Sequence, residues 1–378
     1  ASVRLNDEQV PYEVKNEHII IPADRSKVGE NKIDIAFTPT DQSLNRRDEF
    51  LYTLLVPDRA RTAFPCFDQP DMKSLFTLTL EVPATWQAVT NGAIGKTDTL
   101  SVPDRKIISF KETEPLSTYL FAFTAGEFVR ETYTREDREI SIYHRETDPK
   151  KIAQCPEIAS EVFDALAWLE EYTAVPYPFA KYDLIILPGF QFGGMEHTGA
   201  TFYTDRRMFL NENPTLNEQL SRSALIAHET AHMWFGDYVT MKWFDDVWTK
   251  EVFANYFASQ IVEPLYPNVN HALNFMQNYI PPAYSEDRTA GANPIKQDLD
   301  NLRNAGLVYG NIIYDKSPVV LEMLIKKMGK DAFRQGIREY LKTYAYGNAT
   351  WEGLITILDK YTDDDLETWS HIWVNEKG

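Results

Sequence analysis

Along the first 150 residues the apolar positions come in short β-branched or aromatic runs, at 18–21, 33–37, 75–82, 107–110, 119–123 and 140–143. Turn formers separate them: Pro70-Asp71, Asn91-Gly92 and Val102-Pro103-Asp104. Short runs with this punctuation predict the strands of an antiparallel sandwich or saddle-like sheet. After Pro156 the period changes. Ile158, Val162, Phe163, Leu166 and Leu169 fall on one face of a helix, which predicts a helix starting just beyond that proline. Strand-like stretches follow at 182–187 and, after Gly193-Gly194, at 200–203. From Leu220 onward the pattern is helical, with a segment over 319–328 closed by Gly329, another over 332–344, and a third over 351–361 with Thr350 as its N-cap. No internal repeat or low-complexity segment interrupts this order. The pattern predicts a multidomain α and β chain, with a β-rich N-terminal domain over 1–153 and an α+β domain, becoming helical, over 154–378.

Composition changes this picture little. A chain of 378 residues with 43% hydrophobic and 13% aromatic content can fill ordinary cores in two or three domains. Its net charge of −18 repels nucleic acid, and no block of Lys and Arg offsets it. No run of eighteen apolar residues exists to span a membrane. The opening Ala1-Ser2-Val3-Arg4-Leu5 has no apolar signal-peptide core; it reads as the cut end of a longer protein, so a cytoplasmic and an extracytoplasmic home both stay open. Cys66 and Cys155 can make at most one bridge and cannot build a cysteine zinc site. Any zinc must be held by histidine and carboxylate.

The candidate chemistry is His228-Glu229-Thr230-Ala231-His232. Positions four apart on a helix share a face, so both imidazoles reach one ion, and Glu229 stands beside them. Leu220, Ala224, Leu225, Ala227 and Ala231 supply the apolar side of that helix, with Gly236 as its stop. Zinc in such a site lowers the pKa of a water towards about 7, and the neighbouring carboxylate takes the proton as a carbonyl is attacked. A third protein ligand is required. Six residues past His232 stands Tyr238, and Phe235 occupies the position a metzincin gives to glycine, so that class is excluded. Asp237, Asp245, Asp246, Glu251 and Glu263 remain. Glu251 opens the apolar run Val252, Phe253, Tyr256, Phe257 and Ile261, which can pack against the first helix; spacing alone leaves all five open.

Further motifs stand around this one in order: Gly193-Gly194-Met195-Glu196-His197, Tyr314-Asp315-Lys316, and Trp248-Thr249-Lys250-Glu251-Val252-Phe253-Ala254, in which Glu251 follows His232 after eighteen residues. Upstream are Phe64-Pro65-Cys66-Phe67-Asp68-Gln69-Pro70 and Leu116-Ser117-Thr118-Tyr119-Leu120, and between the metal motifs lies Val239-Thr240-Met241-Lys242-Trp243. Over nearly its whole length the chain resembles the zinc aminopeptidases typified by aminopeptidase N and leukotriene hydrolase, a gluzincin family. The resemblance implies a thermolysin-like catalytic domain holding one zinc ion through His228, His232 and Glu251. It makes Glu229 the general base and Tyr314 the donor to the oxyanion. It places Glu196 on the α-amino group of a peptide substrate. Gly193, Gly194, Met195 and His197 would complete the substrate-binding segment, the glycines letting substrate backbone lie along an edge strand. The implied activity is hydrolysis of the N-terminal peptide bond.

Three departures qualify the carry-over. His197 replaces the family's asparagine, either contacting substrate or filling the same space. Ser317-Pro318 replaces the usual glycine after the lysine, and reads locally as a serine N-cap followed by proline in the first turn. Thr53-Leu54-Leu55-Val56-Pro57 offers no Gln or Glu to the substrate amine. That gap keeps endopeptidase and epoxide hydrolase chemistry in view as alternatives, and a zinc-containing binding protein without turnover is a third. Family members also carry more β-structure upstream and a large helical domain downstream. On that comparison the chain is expected to lack the first strands of its N-terminal domain and the whole C-terminal helical domain.

Overall fold

A computed structural model of the chain describes residues 2–100 and 104–377. The Val102-Pro103 part of one predicted turn lies outside the described residues. The N-terminal part is β-rich, as its alternation predicts. Ser2–Leu5 pairs antiparallel with Glu8–Gln9 and Ile33–Ala36. Arg105–Phe110 joins Ile94–Thr99 to Thr79–Pro83. Phe123–Gly126 lies between Phe50–Thr53 and Gln87–Thr90. The stretch 119–123, expected as a strand, is instead a 3₁₀ turn over Thr118–Leu120 followed by the Phe123–Gly126 strand. Thr118, Tyr119 and Leu120 are all buried, so the apolar run marks core rather than alternation. Cys66 and Cys155 are both free.

A five-stranded mixed sheet organises the rest: β1 (Val129–Arg135), β2 (Arg138–His144), β3 (Tyr182–Leu187), β4 (Gly194–Met195) and β5 (Thr201–Thr204). β3 pairs parallel with β2 and with β5, and every one of its residues is buried. A parallel strand covered on both faces has to read as a continuous apolar run, which is the signature of 182–187. β4 pairs only with β5 and forms the sheet edge. β1 and β2 precede residue 154 in sequence yet join this sheet.

Two long helices pack against the sheet, α1 (Cys155–Thr173) and α2 (Leu216–His232), and a third, α3 (Val247–Val262), packs on α2. The predicted face of α1 is buried throughout. α2 starts four residues before Leu220, where Thr215 and Glu218 form a capping box that satisfies two orphan backbone N–H groups. Its end comes at His232, before the expected stop at Gly236. Arg222, 3% exposed, ties α2 to α1 through Glu157 at 2.9 Å, Glu161 at 2.8 Å and Gln154 at 3.0 Å. α3 is fixed by Phe253 and Phe257, whose rings lie 5.1 and 4.6 Å from Phe235. The expected C-terminal helices form as Ser317–Met328, Lys330–Thr343 and Trp351–Leu358, with the Thr350 side chain accepting from Gly353 N–H. No described helix is long and apolar enough to cross a membrane.

Ser317 is not an N-cap. Its hydroxyl donates to the Ile313 carbonyl inside a continuous helical path. Ahead of it Ile312–Lys316 winds as a π-turn, with Ser317 N–H bonded to Ile312 O. Pro318 has no N–H to give Tyr314 O, so the ordinary ladder cannot close there and the wider turn takes its place.

Candidate active site

α2 and α3 bring the metal motif together. His228 Nε2 and His232 Nε2 are 3.0 Å apart, and Glu251 Oε2 lies 3.6 Å from the first and 3.7 Å from the second. His232 Nδ1 donates to the Phe235 carbonyl at 3.1 Å, and His228 Nδ1 meets Asn255 Oδ1 at 3.0 Å. Those bonds assign the protons to both Nδ1 atoms and turn both Nε2 lone pairs inward. Two lone pairs and a carboxylate oxygen converging in a buried space repel one another unless a cation lies between them. Burial pushes His232 down to about 4, which keeps it neutral, as a ligand must be. Burial alone would lower His228 as well, but the nearby negative charges of Glu251 and Glu229 outweigh that and leave it raised.

The structure separates the five carboxylates that spacing left open. Glu251 joins the histidines. Asp246 lies 3.3 Å from Lys296 and accepts from Trp351 N–H at 3.1 Å, Asp245 faces Lys296 at 3.8 Å, and Glu263 is exposed beyond the end of α3. Asp237 is buried with neither carboxylate oxygen hydrogen-bonded among the described residues. Among the described residues, His228, His232 and Glu251 therefore form a candidate metal-binding group.

Glu229 is 4% exposed, and burial, with the charges of Glu196 and Glu251, pushes its carboxyl up to about 8. A divalent cation beside it would draw that value back down. Gly194 stands against it so closely that a Cβ there would overlap the Glu229 carboxylate. The second glycine of the edge strand thus makes room for Glu229, whatever it also does for a substrate. Glu196 is buried and ion-paired with Lys250; against its own burial, that cation holds it down at about 2. Tyr314 stacks on Tyr309 with ring centres 6.1 Å apart. Burial and the Glu251 charge push its hydroxyl up, so it stays a proton donor.

Gly193, Gly194, Met195, Glu196, His228, Glu229, His232, Glu251 and Tyr314 all line one cavity of about 820 Å³. His197 is the exception. Its ring nitrogens are buried without hydrogen-bond partners among the described residues, and its ring packs edge-on against Phe202 at 4.6 Å, so it fills space behind β4. The N-terminal part contributes Val56, Pro57 and Arg59 to the cavity wall. Sequence reasoning gave no role to Lys250, Asn255, Tyr309, Arg59 or Arg207. Asn255 follows Glu251 by one helical turn, a spacing that could have flagged it. Arg59 and Arg207 reach the cavity from distant segments, so no local pattern marks them.

The comparisons with known proteins agree with this geometry. Residues 159–373 match the peptidase family M1 domain, and residues 15–120 match the peptidase M1 N-terminal domain. The chain is 30% identical to "Probable aminopeptidase 1" of Sulfurisphaera tokodaii over 100% of its own length and 48% of that relative. It is 32% identical to "Aminopeptidase N" of Streptomyces lividans, covering 91% of the chain and 41% of the relative. With "Puromycin-sensitive aminopeptidase" of Caenorhabditis elegans the identity is 34%, over 84% and 34% respectively. The chain spans less than half the length of each of these relatives. With a catalytic-domain match over more than half of the chain, and the ligand constellation folded together inside it, this chain belongs to peptidase family M1.

Proposed function

We propose that this chain is a zinc aminopeptidase that hydrolyses the N-terminal peptide bond of peptides. One observation carries the reading: three metal-type donor atoms converge with the Glu229 carboxylate beside them. Zinc bonds of about 2.0–2.2 Å at tetrahedral angles place donors about 3.3–3.6 Å apart, close to the 3.0, 3.6 and 3.7 Å found. Two imidazoles and one carboxylate, each histidine held by an outer hydrogen bond, are the donor set zinc takes in hydrolytic sites. When bound there, zinc would supply Lewis-acid polarisation of the scissile carbonyl and acidify a water.

The remaining work belongs to the chain. Glu229 accepts the proton of the attacking water on its carboxylate and returns it to the leaving nitrogen. The Tyr314 hydroxyl donates a hydrogen bond to the carbonyl oxygen as charge builds there. The exposed edge of β4 offers backbone N–H and C=O groups to an extended peptide. Glu196 stands at the head of that strand as acceptor for the substrate's α-amino group, sharing its carboxylate with Lys250. The three relatives bearing aminopeptidase names support this substrate class.

The test is release of a fluorogenic amine from aminoacyl amides, before and after chelation and with zinc restored. Cleavage lost on chelation and regained with zinc is expected; cleavage indifferent to chelation would remove the metal from the mechanism. One observation favours a second reading, in which a free amine is not required: the lysine already seated on Glu196.

A further inference from the structure

A second cavity, of about 490 Å³, adjoins the first. It lies between α2, α3 and the helix His271–Asp287. It shares Arg207, Ala224 and Asn255 with the active-site cavity, but none of Met195, Glu196 or Tyr314. In a chain with 56 acidic residues, no Asp or Glu is among the described residues that line it. Its polar wall is made instead by Arg207, His271 and the side-chain amides of Asn217, Asn255, Asn274 and Asn278.

Arg207 stands at the seam between the two cavities. It belongs to the short helix Asp205–Met208 that follows β5, and its Nη2 donates to Ser221 O at 3.0 Å and to Ser221 Oγ at 2.6 Å. Both acceptors are uncharged. Among the described residues no carboxylate forms an ion pair with it, so a tethered guanidinium is left with its charge unmatched. Its Nη1 lies on the Gly193 side, 3.1 Å from where a Cβ on that glycine would stand.

The edge strand sets which part of a substrate comes here. Glu196 marks the place of the α-amino group, and Gly194 stands against Glu229, so the scissile bond lies opposite Gly194. Gly193 is one step further from Glu196. At about 3.3 Å per residue, the three steps from Glu196 to Gly193 span about 10 Å. An extended peptide along the strand therefore brings its second or third residue to Arg207, in the half that hydrolysis releases. The planar fork of an arginine matches a carboxylate through two parallel hydrogen bonds.

We infer that Arg207 and the acid-free cavity beside it form a specificity site for the leaving half of the substrate, recognising a carboxylate on the first or second leaving residue. That carboxylate is an Asp or Glu side chain or the C-terminus of a dipeptide or tripeptide. The inference rests on the reading of the site as a peptidase, and the test separates the two. The full chain loaded with zinc is given paired peptides that share a first residue. One set is amidated and carries Asp or Asn in second or third place; the other is a dipeptide and a tripeptide with a free or an amidated C-terminus. Release of the first residue is followed by chromatography. In at least one pair the carboxylate member is expected to exceed its neutral twin about 10-fold in kcat/KM. That is the low end for a charge-assisted hydrogen bond, because Arg207 is solvent-exposed and so partly screened. The pairs that respond identify the source of the carboxylate. Arg207→Gln should bring a responding pair within about twofold, and Arg207→Lys should keep a preference of at least about threefold. A role confined to tethering Ser221 would slow both members alike and leave their ratio unmoved. Every pair within about twofold in the parent, or a preference that survives in Arg207→Gln, would overturn the inference and leave peptide hydrolysis standing. Cleavage of no peptide would remove peptide hydrolysis instead. Calorimetry of the same pairs on zinc-loaded Glu229→Gln then decides the role of Arg207: about 10-fold tighter binding of a carboxylate member supports it, and equal or absent binding overturns it.

Discussion

Replacing Gly194 by alanine probes how closely the edge strand and the base are fitted together. The added Cβ would lie 2.5 Å from Glu229 Cδ and 2.6 Å from its Cγ, where ordinary van der Waals contact is 3.4–4 Å. Relief requires the carboxylate or the strand to move by about 1 Å, and a misplacement of that size costs about 10²-fold in rate. The three atoms nearest the new methyl all belong to Glu229. Gly194→Ala is therefore expected to lower kcat about 10²-fold while keeping the parent's zinc content and a Tm within a few degrees. Gly193→Ala is the control. Its Cβ would be 3.1 Å from Arg207 Nη1, the end of a flexible side chain, and 3.3 Å from Leu225 Cδ1, so its kcat should stay within about threefold. Parent-level turnover in Gly194→Ala would refute the claim that this glycine makes room for Glu229.

Asn255→Ala removes the acceptor that orients His228 and should weaken zinc affinity by about 10- to 100-fold, measured by competition with a chelator of known affinity. Tyr314→Phe removes the donor to the carbonyl oxygen and should lower kcat by about 10²- to 10³-fold with little change in KM; an unchanged kcat would assign Tyr314 to packing. Asp246 supplies a pH signature away from the metal: burial, partly offset by Lys296, pushes its carboxyl up to about 6. That value lies above the unfolded value of about 3.9, so the stability it contributes is complete below pH 4 and is lost as pH rises to 6. Asp246→Asn should flatten that dependence, gaining on the parent by up to about 3 kcal/mol between pH 4 and 6 in denaturant titrations at each pH.

Periodicity located the elements whose burial is one-sided or complete. The face of α1 and the apolar run of β3 are both direct readings of packing. It missed β1, seven residues without an apolar alternation and mostly solvent-exposed, because that strand is held by its partner's backbone rather than by its own side chains. It misread 119–123, where continuous burial around a 3₁₀ turn imitates a strand. In the site, the two histidines and Glu229 follow from helix geometry alone, because positions four apart must meet. Glu251 did not, since its place depends on how α3 folds back over α2 and several acidic residues satisfied the same spacing. Lys250 was equally hidden. Its partner Glu196 comes from the edge strand of a sheet far away in sequence, and only the tertiary fold sets the two together.

The most direct test of the central claim is zinc content by elemental analysis of the parent protein and of the Glu251→Ala and His232→Ala variants, each checked by circular dichroism. One zinc per chain in the parent and loss of tight binding in both folded variants is the predicted result. A parent that binds no zinc when offered it, or a Glu251→Ala variant that holds zinc as tightly as the parent, would contradict it.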